Sequence, residues 1–135
     1  MEDRVLNLLR NAKTIAMIGI SDDQSRPSYG VAQYLQSRGY RVVPINPQLK
    51  QVLGETAYPS LGEAAKHEKI DIVDVFRRPE AVPAIVDDVL ELGIPALWLQ
   101  ETVIHEEAAE KARKAGILVV MDRCILKEHR KMLAG

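Results

Sequence analysis

The sequence predicts an α/β domain: a mainly parallel sheet of about five strands with helices on both faces. Three observations carry this. Five short runs, TIAMIGI, YRVVPINP, IDIVDVF, PALWLQ and ILVVM, are largely apolar, as strands covered on both sides must be. Segments of helical spacing separate most of them, which favours parallel pairing through helical crossovers. The chain has 135 residues, 47% of them hydrophobic, which suits one domain over residues 1–135 with a sizeable core.

The elements follow in order. Val5, Leu6, Leu8 and Leu9 fit one face of a first helix, whose acids and broken apolar stretch do not read as a secretory signal. TIAMIGI is the first strand. SYGVAQYLQSRG is a helix with Val31, Tyr34 and Leu35 on one side and Gly39 as a stop. YRVVPINP is a strand closed by proline, and QVLGETAY reads as a small hairpin turning at Gly54–Glu55. SLGE is a capping box from Ser60 to Glu63 that opens a short helix. IDIVDVF is the third long strand. In the next helix Val82, Ile85, Val89 and Leu92 point inward, and Gly93 ends it. PALWLQ is a strand, EEAAEKARKAG a helix, ILVVM a strand and CILKEHRKMLAG the closing helix.

Composition narrows the function. There are 18 basic and 19 acidic residues, a formal charge of -1, without the basic excess of a duplex binder. Only 4% of residues are aromatic, too few for a base-stacking platform. Nucleic acid and membrane are therefore not expected partners, since no apolar run approaches a span. Cys124 is the single cysteine, which excludes an internal disulfide and fits a reducing cytoplasm.

In such a sheet, ligands bind beyond the carboxyl ends of the strands. The residues expected there are Gly19 and Ser21, Asn46 and Pro47, Phe76, Arg77 and Arg78, Gln100 and Glu101, then Asp122, Arg123 and Cys124. The turn GISDDQSRPSYG has phosphate-binding parts: Gly19, the Ser21 hydroxyl, Arg26, and a helix start near Pro27 or Ser28. Asp22 and Asp23 would repel a phosphate and are expected to face solvent. The dinucleotide fingerprint of spaced glycines fails, because Ser21 and Gln24 stand at its second and third glycine positions. No acid ends the second strand for a ribose, and no Gly-Lys-Ser/Thr sequence is present.

Together, GISDDQSRPSYGVAQYLQSRGYRVVPINP, GETAYPSL, IDIVDVFRRPE, LWLQ and VVMDRCILKEH resemble the small stand-alone CoA-binding proteins. Their domain is similar to the N-terminal domain of the succinyl-CoA synthetase alpha subunit. The resemblance implies a single Rossmann-like domain that binds coenzyme A or an acyl-CoA. It implies that Gly19, Ile20 and Ser21 line the pyrophosphate with Arg26 near a phosphate. It further implies that PINP (Pro44, Asn46, Pro47) and FRRPE (Phe76, Arg77, Arg78) flank the adenosine. Gln100 and Cys124 complete the expected site.

No reaction is implied. The histidines His67, His105 and His129 show no metal-ligand spacing, and there is no Gly-x-Ser-x-Gly elbow. Asp122 is expected to cap the last helix, which would put Cys124 in its first turn, where a thiolate is favoured. A place for the last strand at the far edge of the sheet would strand that thiol away from the ligand. The expectation is a binding or sensor domain that serves itself or an unidentified protein partner. Two alternatives stay open: an enzyme of thiol or thioester chemistry using Cys124, and a nicotinamide-nucleotide binder.

Overall fold

The computed structural model describes residues 2–135. Its elements are α1 (Glu2–Asn11), β1 (Thr14–Ile18), α2 (Pro27–Ser37), β2 (Arg41–Ile45), β3 (Gln51–Val52), β4 (Glu55–Thr56) and α3 (Leu61–Ala65). They continue with β5 (Ile72–Val75), α4 (Val82–Leu92), β6 (Ala96–Leu99), α5 (Glu106–Lys114), β7 (Leu118–Val120) and α6 (Ile125–Ala134). A single 3-10 turn, Pro79–Ala81, leads into α4. Five strands form one parallel sheet in the order β2-β1-β5-β6-β7. From β1 the chain steps outward to β2, then crosses back to β5 and continues to β7. The direction of winding therefore reverses between β1 and β5, where ligand crevices form in open α/β sheets. The expected Rossmann-like α/β domain is the observed one.

Alternation along the strands supplies both faces of the core. Ile15 and Met17 of β1 join one cluster with Ile72, Ala96 and Trp98, under Val5, Leu9, Val31, Leu35 and Ile125 of α1, α2 and α6. Ala16 and Ile18 join the other, with Val73, Val75, Leu97 and Leu99, under Leu61, Val86, Val89 and Ala109 of α3, α4 and α5. Tyr40 ties the first layer together, its hydroxyl donating to the Leu9 carbonyl. His129 of α6 sits edge-on to Tyr34 and Tyr40, with its Nδ1 2.7 Å from the Tyr34 hydroxyl. Burial there, with Arg38 nearby, holds the imidazole below its ordinary pKa.

Several local expectations need correction. The hairpin turns at Leu53–Gly54, one residue earlier, with φ of 51° and 78°. A two-residue turn of this hand matches the strand twist, and it draws a leucine into a conformation that sequence alone assigns to glycine or asparagine. Leu92 is 38% exposed, as the last residue of α4 before the Gly93 cap, whereas Val82, Ile85 and Val89 point inward as expected. Ser60 does cap α3, its Oγ accepting from the Glu63 N–H at 3.2 Å. The Glu63 carboxylate pairs with Lys66 at 2.9 Å.

Candidate functional site

The loops after β1, β2, β5, β6 and β7 meet along the carboxyl rim. Gly19 stands at the crossing. Its φ is +85°, and a Cβ placed on it would lie 2.2 Å from the Phe76 carbonyl oxygen and 2.9 Å from Arg77 Cδ. The β5–α4 loop by itself therefore requires glycine at this position. The close approach brings FRRPE against the opening turn, at the point where the winding reverses.

The opening turn is braced from within. The Ser21 N–H donates to Ser28 Oγ at 3.0 Å, and Ser28 is buried in the first turn of α2. Ser21 Oγ accepts from the Asp23 N–H at 3.0 Å. Arg26 occupies the N-cap position in extended backbone without a side-chain cap, and its exposed charge stands beside the Ser28 N–H, since Pro27 carries no N–H and the Tyr29 N–H donates to the Arg26 carbonyl at 3.1 Å. Asp22 and Asp23 are exposed, as expected. Asn46 links two loops: its Nδ2 donates to the Ile20 carbonyl at 2.9 Å, and its Oδ1 accepts from the Gln48 N–H at 2.8 Å. The Ile20 side chain is fully buried, so that residue offers backbone to the site. Pro44 does not reach the rim. It is buried within β2, level with Met17 of β1.

On the other side of the crossing, β7 is indeed the edge strand, yet Cys124 is not stranded. The segment after β7 folds back over β6. The Arg123 N–H donates to the Leu99 carbonyl at 3.3 Å, and Trp98 Nε1 donates to the Arg123 carbonyl at 2.8 Å. Cys124 thereby becomes the N-cap residue of α6. Asp122 is not the cap. Its φ is 60°, and its Oδ1 accepts from the Thr102 N–H at 2.8 Å. Gln100 serves the helix start instead, its Oε1 accepting from the Ile125 N–H at 3.2 Å.

Three adjoining clefts result. One, of about 390 Å³, lies at the opening turn and includes Gly19, Ser21, Arg26, Asn46 and Phe76. A second, of about 530 Å³, lies between Asn46, Pro47 and Arg77 on the α3–α4 side. The third, of about 600 Å³, is walled by Val31, Phe76, Arg78, Gln100, Val103 and Cys124. Phe76 and Pro27 border both the first and the third, and Arg77 both the second and the third. Gly19, Ile20, Ser21, Arg26, Asn46, Pro47, Phe76, Arg77, Arg78, Gln100 and Cys124 line these adjoining clefts, whereas Pro44, Asp122 and Arg123 line none of the three.

Sequence reasoning missed Asp74. It lies mid-strand in β5, level with Met17 and Trp98, two residues before Phe76 and on the same face. It is fully buried, and neither carboxylate oxygen has a hydrogen-bond partner among the described residues. Desolvation raises its pKa well above the usual carboxylate range. The one available signal was an acid inside an otherwise apolar central strand.

The chain is similar to an uncharacterized protein, YneT, from Bacillus subtilis, at 38% identity over 93% of this chain and 91% of that one. A solved structure of a hypothetical protein from Pyrococcus horikoshii superposes with a TM-score of 0.93 at 33% identity, covering 98% of this chain and 92% of that one. An ADP-forming acetate–CoA ligase from Archaeoglobus fulgidus matches at 22% identity over 84% of this chain, which spans only 18% of the ligase. No helix among the described residues is long and apolar enough to cross a membrane. Residues 13–130 match the family model described as a CoA binding domain, and the chain belongs to that family.

Proposed function

We propose that the chain binds coenzyme A or an acyl-CoA along the rim crevice as a binding or sensor domain without catalysis of its own. The observation that carries this is the braced turn at the start of α2, where Ser21 and Arg26 flank the Ser28 N–H and the positive end of the helix. Such a terminus suits a diphosphate. The cleft between Pro47 and Arg77 then takes the adenosine. The neutral pantetheine arm runs past Phe76 into the third cleft, toward Cys124.

The polar groups that catalysis would need are engaged in the fold. His105 Nδ1 accepts from the Ala108 N–H at 3.1 Å, His67 stacks on Tyr58, and His129 meets Tyr34. Glu101 pairs with Lys127 at 3.0 Å, and Asp122 holds Thr102. A nicotinamide nucleotide is disfavoured because Asn46, at the tip of β2, is spent on Ile20 and Gln48. A metabolite-reporting role, alone or through a protein partner, follows as the physiological reading.

Thermal unfolding with and without ligand tests the assignment. At a hundredfold excess over its dissociation constant, CoA should add about 2.7 kcal/mol, a rise of roughly 10 °C for a chain this size. NAD should leave the midpoint unchanged. Equal shifts with both, or none with CoA, would refute the proposal.

A further inference from the structure

The third cleft differs in character from the other two. Val31, Phe76, Pro79 and Val103 give it an apolar end, whereas the cleft at the opening turn is dominated by Ser21, Asp22, Arg26, Asn46 and Gln48. Its outer wall is also held in an unusual way. Thr102 and Asp122 both have left-handed backbone, with φ of 71° and 60°, although neither is glycine. They face each other across two loops and are clasped by the Thr102 N–H to Asp122 Oδ1 bond of 2.8 Å. The Val103 N–H donates to the Gln100 carbonyl at 2.9 Å, and Gln100 in turn holds the start of α6. Left-handed backbone in a β-branched residue is costly and persists where the surroundings enforce it. The clasp keeps Val103 and Cys124 as fixed walls, so the apolar space exists before any ligand arrives.

We propose that this cleft is an acyl subsite, and that the preferred ligand is a CoA thioester with a short apolar acyl group and not free CoA. The inference rests on the CoA reading above. A volume of about 600 Å³ falls in the range of small-molecule sites. A free thiol leaves the half-buried faces of Phe76 and Pro79 uncovered, whereas an acyl chain covers them. Each methylene buried there strengthens binding roughly fourfold. Butyryl-CoA, with two more methylenes, should therefore exceed acetyl-CoA by about fifteenfold.

Isothermal titration of the intact chain with CoA, acetyl-CoA, butyryl-CoA and succinyl-CoA tests this, with the same series on Cys124→Trp, which places an indole in the cleft. The expected order is butyryl above acetyl above free CoA, with the butyryl preference lost in the variant. Equal affinity for CoA and butyryl-CoA in the unmodified chain overturns the acyl subsite while leaving the CoA reading intact. Succinyl-CoA binding more tightly than butyryl-CoA overturns the apolar class and hands the cleft end to Arg77 and Arg78. Binding of none of the four overturns the CoA reading itself. The ligand series on the unmodified chain decides the matter even if Cys124→Trp fails to fold.

Discussion

Replacing Gly19 with alanine probes the junction on which the site depends. Gly39 provides the control. Both have positive φ, +85° and +91°, but a Cβ at Gly39 meets nothing within 4 Å, whereas at Gly19 it meets the Phe76 carbonyl oxygen at 2.2 Å. Gly39→Ala therefore carries only the left-handed backbone penalty, about 1–2 kcal/mol. Gly19→Ala carries the same penalty and must also push the β5–α4 loop away by about 1 Å to restore ordinary contact. Overpacking of this kind costs a further 1–3 kcal/mol or so. The expected totals are about 1–2 kcal/mol for Gly39→Ala and about 2–5 kcal/mol for Gly19→Ala. Urea unfolding of both variants measures the difference, with circular dichroism to verify the fold. If the two variants agree within about 0.5 kcal/mol, below the smallest contact cost expected, the Phe76 contact is not what requires glycine at position 19.

Other predictions concern the buried polar groups and the turn. Because the pKa of Asp74 is raised in the fold, the native state holds a proton that the unfolded chain releases above about pH 4. Its contribution is thus fully present below the unfolded pKa and is lost as pH rises through the folded one. The slope reaches about 1.4 kcal/mol per pH unit. Asp74→Asn should remove that slope from urea titrations run upward from about pH 4, and parallel curves for the two proteins would contradict it. His129 has the opposite sign: held neutral by burial, it costs stability as pH falls below the unfolded histidine value. Its imidazole resonances should titrate below those of a free histidine, and a normal or raised midpoint would count against the buried neutral ring. Ser28→Ala leaves the Ser21 N–H without its acceptor and should cost about 1–3 kcal/mol in stability, with weakened CoA binding. An unchanged midpoint and affinity would show that the brace is dispensable.

The sheet was legible because strands covered on both faces must be apolar at nearly every position. Its loops were legible as a rim because parallel strands put all their carboxyl ends on one side. What escaped the sequence depends on contacts between residues far apart in the chain. Gln100 holds the start of α6 from 25 residues away, so Asp122, the local candidate, was the natural but incorrect choice. Cys124 reaches the crevice from an edge strand only because Trp98 and Leu99 hold the returning segment. Pro44 looked like a rim residue beside Asn46 and Pro47, but the strand continues through it to Ile45. An edge strand tolerates a proline that a central strand would not. Gly19 was recognised for its backbone, while the neighbour that demands it, Phe76, lies 57 positions on.

The central claim is that CoA occupies the rim crevice, and Cys124 offers a direct reporter. It is the single cysteine, is partly exposed, and lines the third cleft. The measurement is the rate of Cys124 alkylation by iodoacetamide, followed by intact mass, at saturating CoA, at the same concentration of NAD, and without ligand. The account predicts that CoA slows alkylation severalfold or more and that NAD does not. An unchanged rate under conditions where calorimetry shows CoA bound would place the ligand elsewhere and contradict the account.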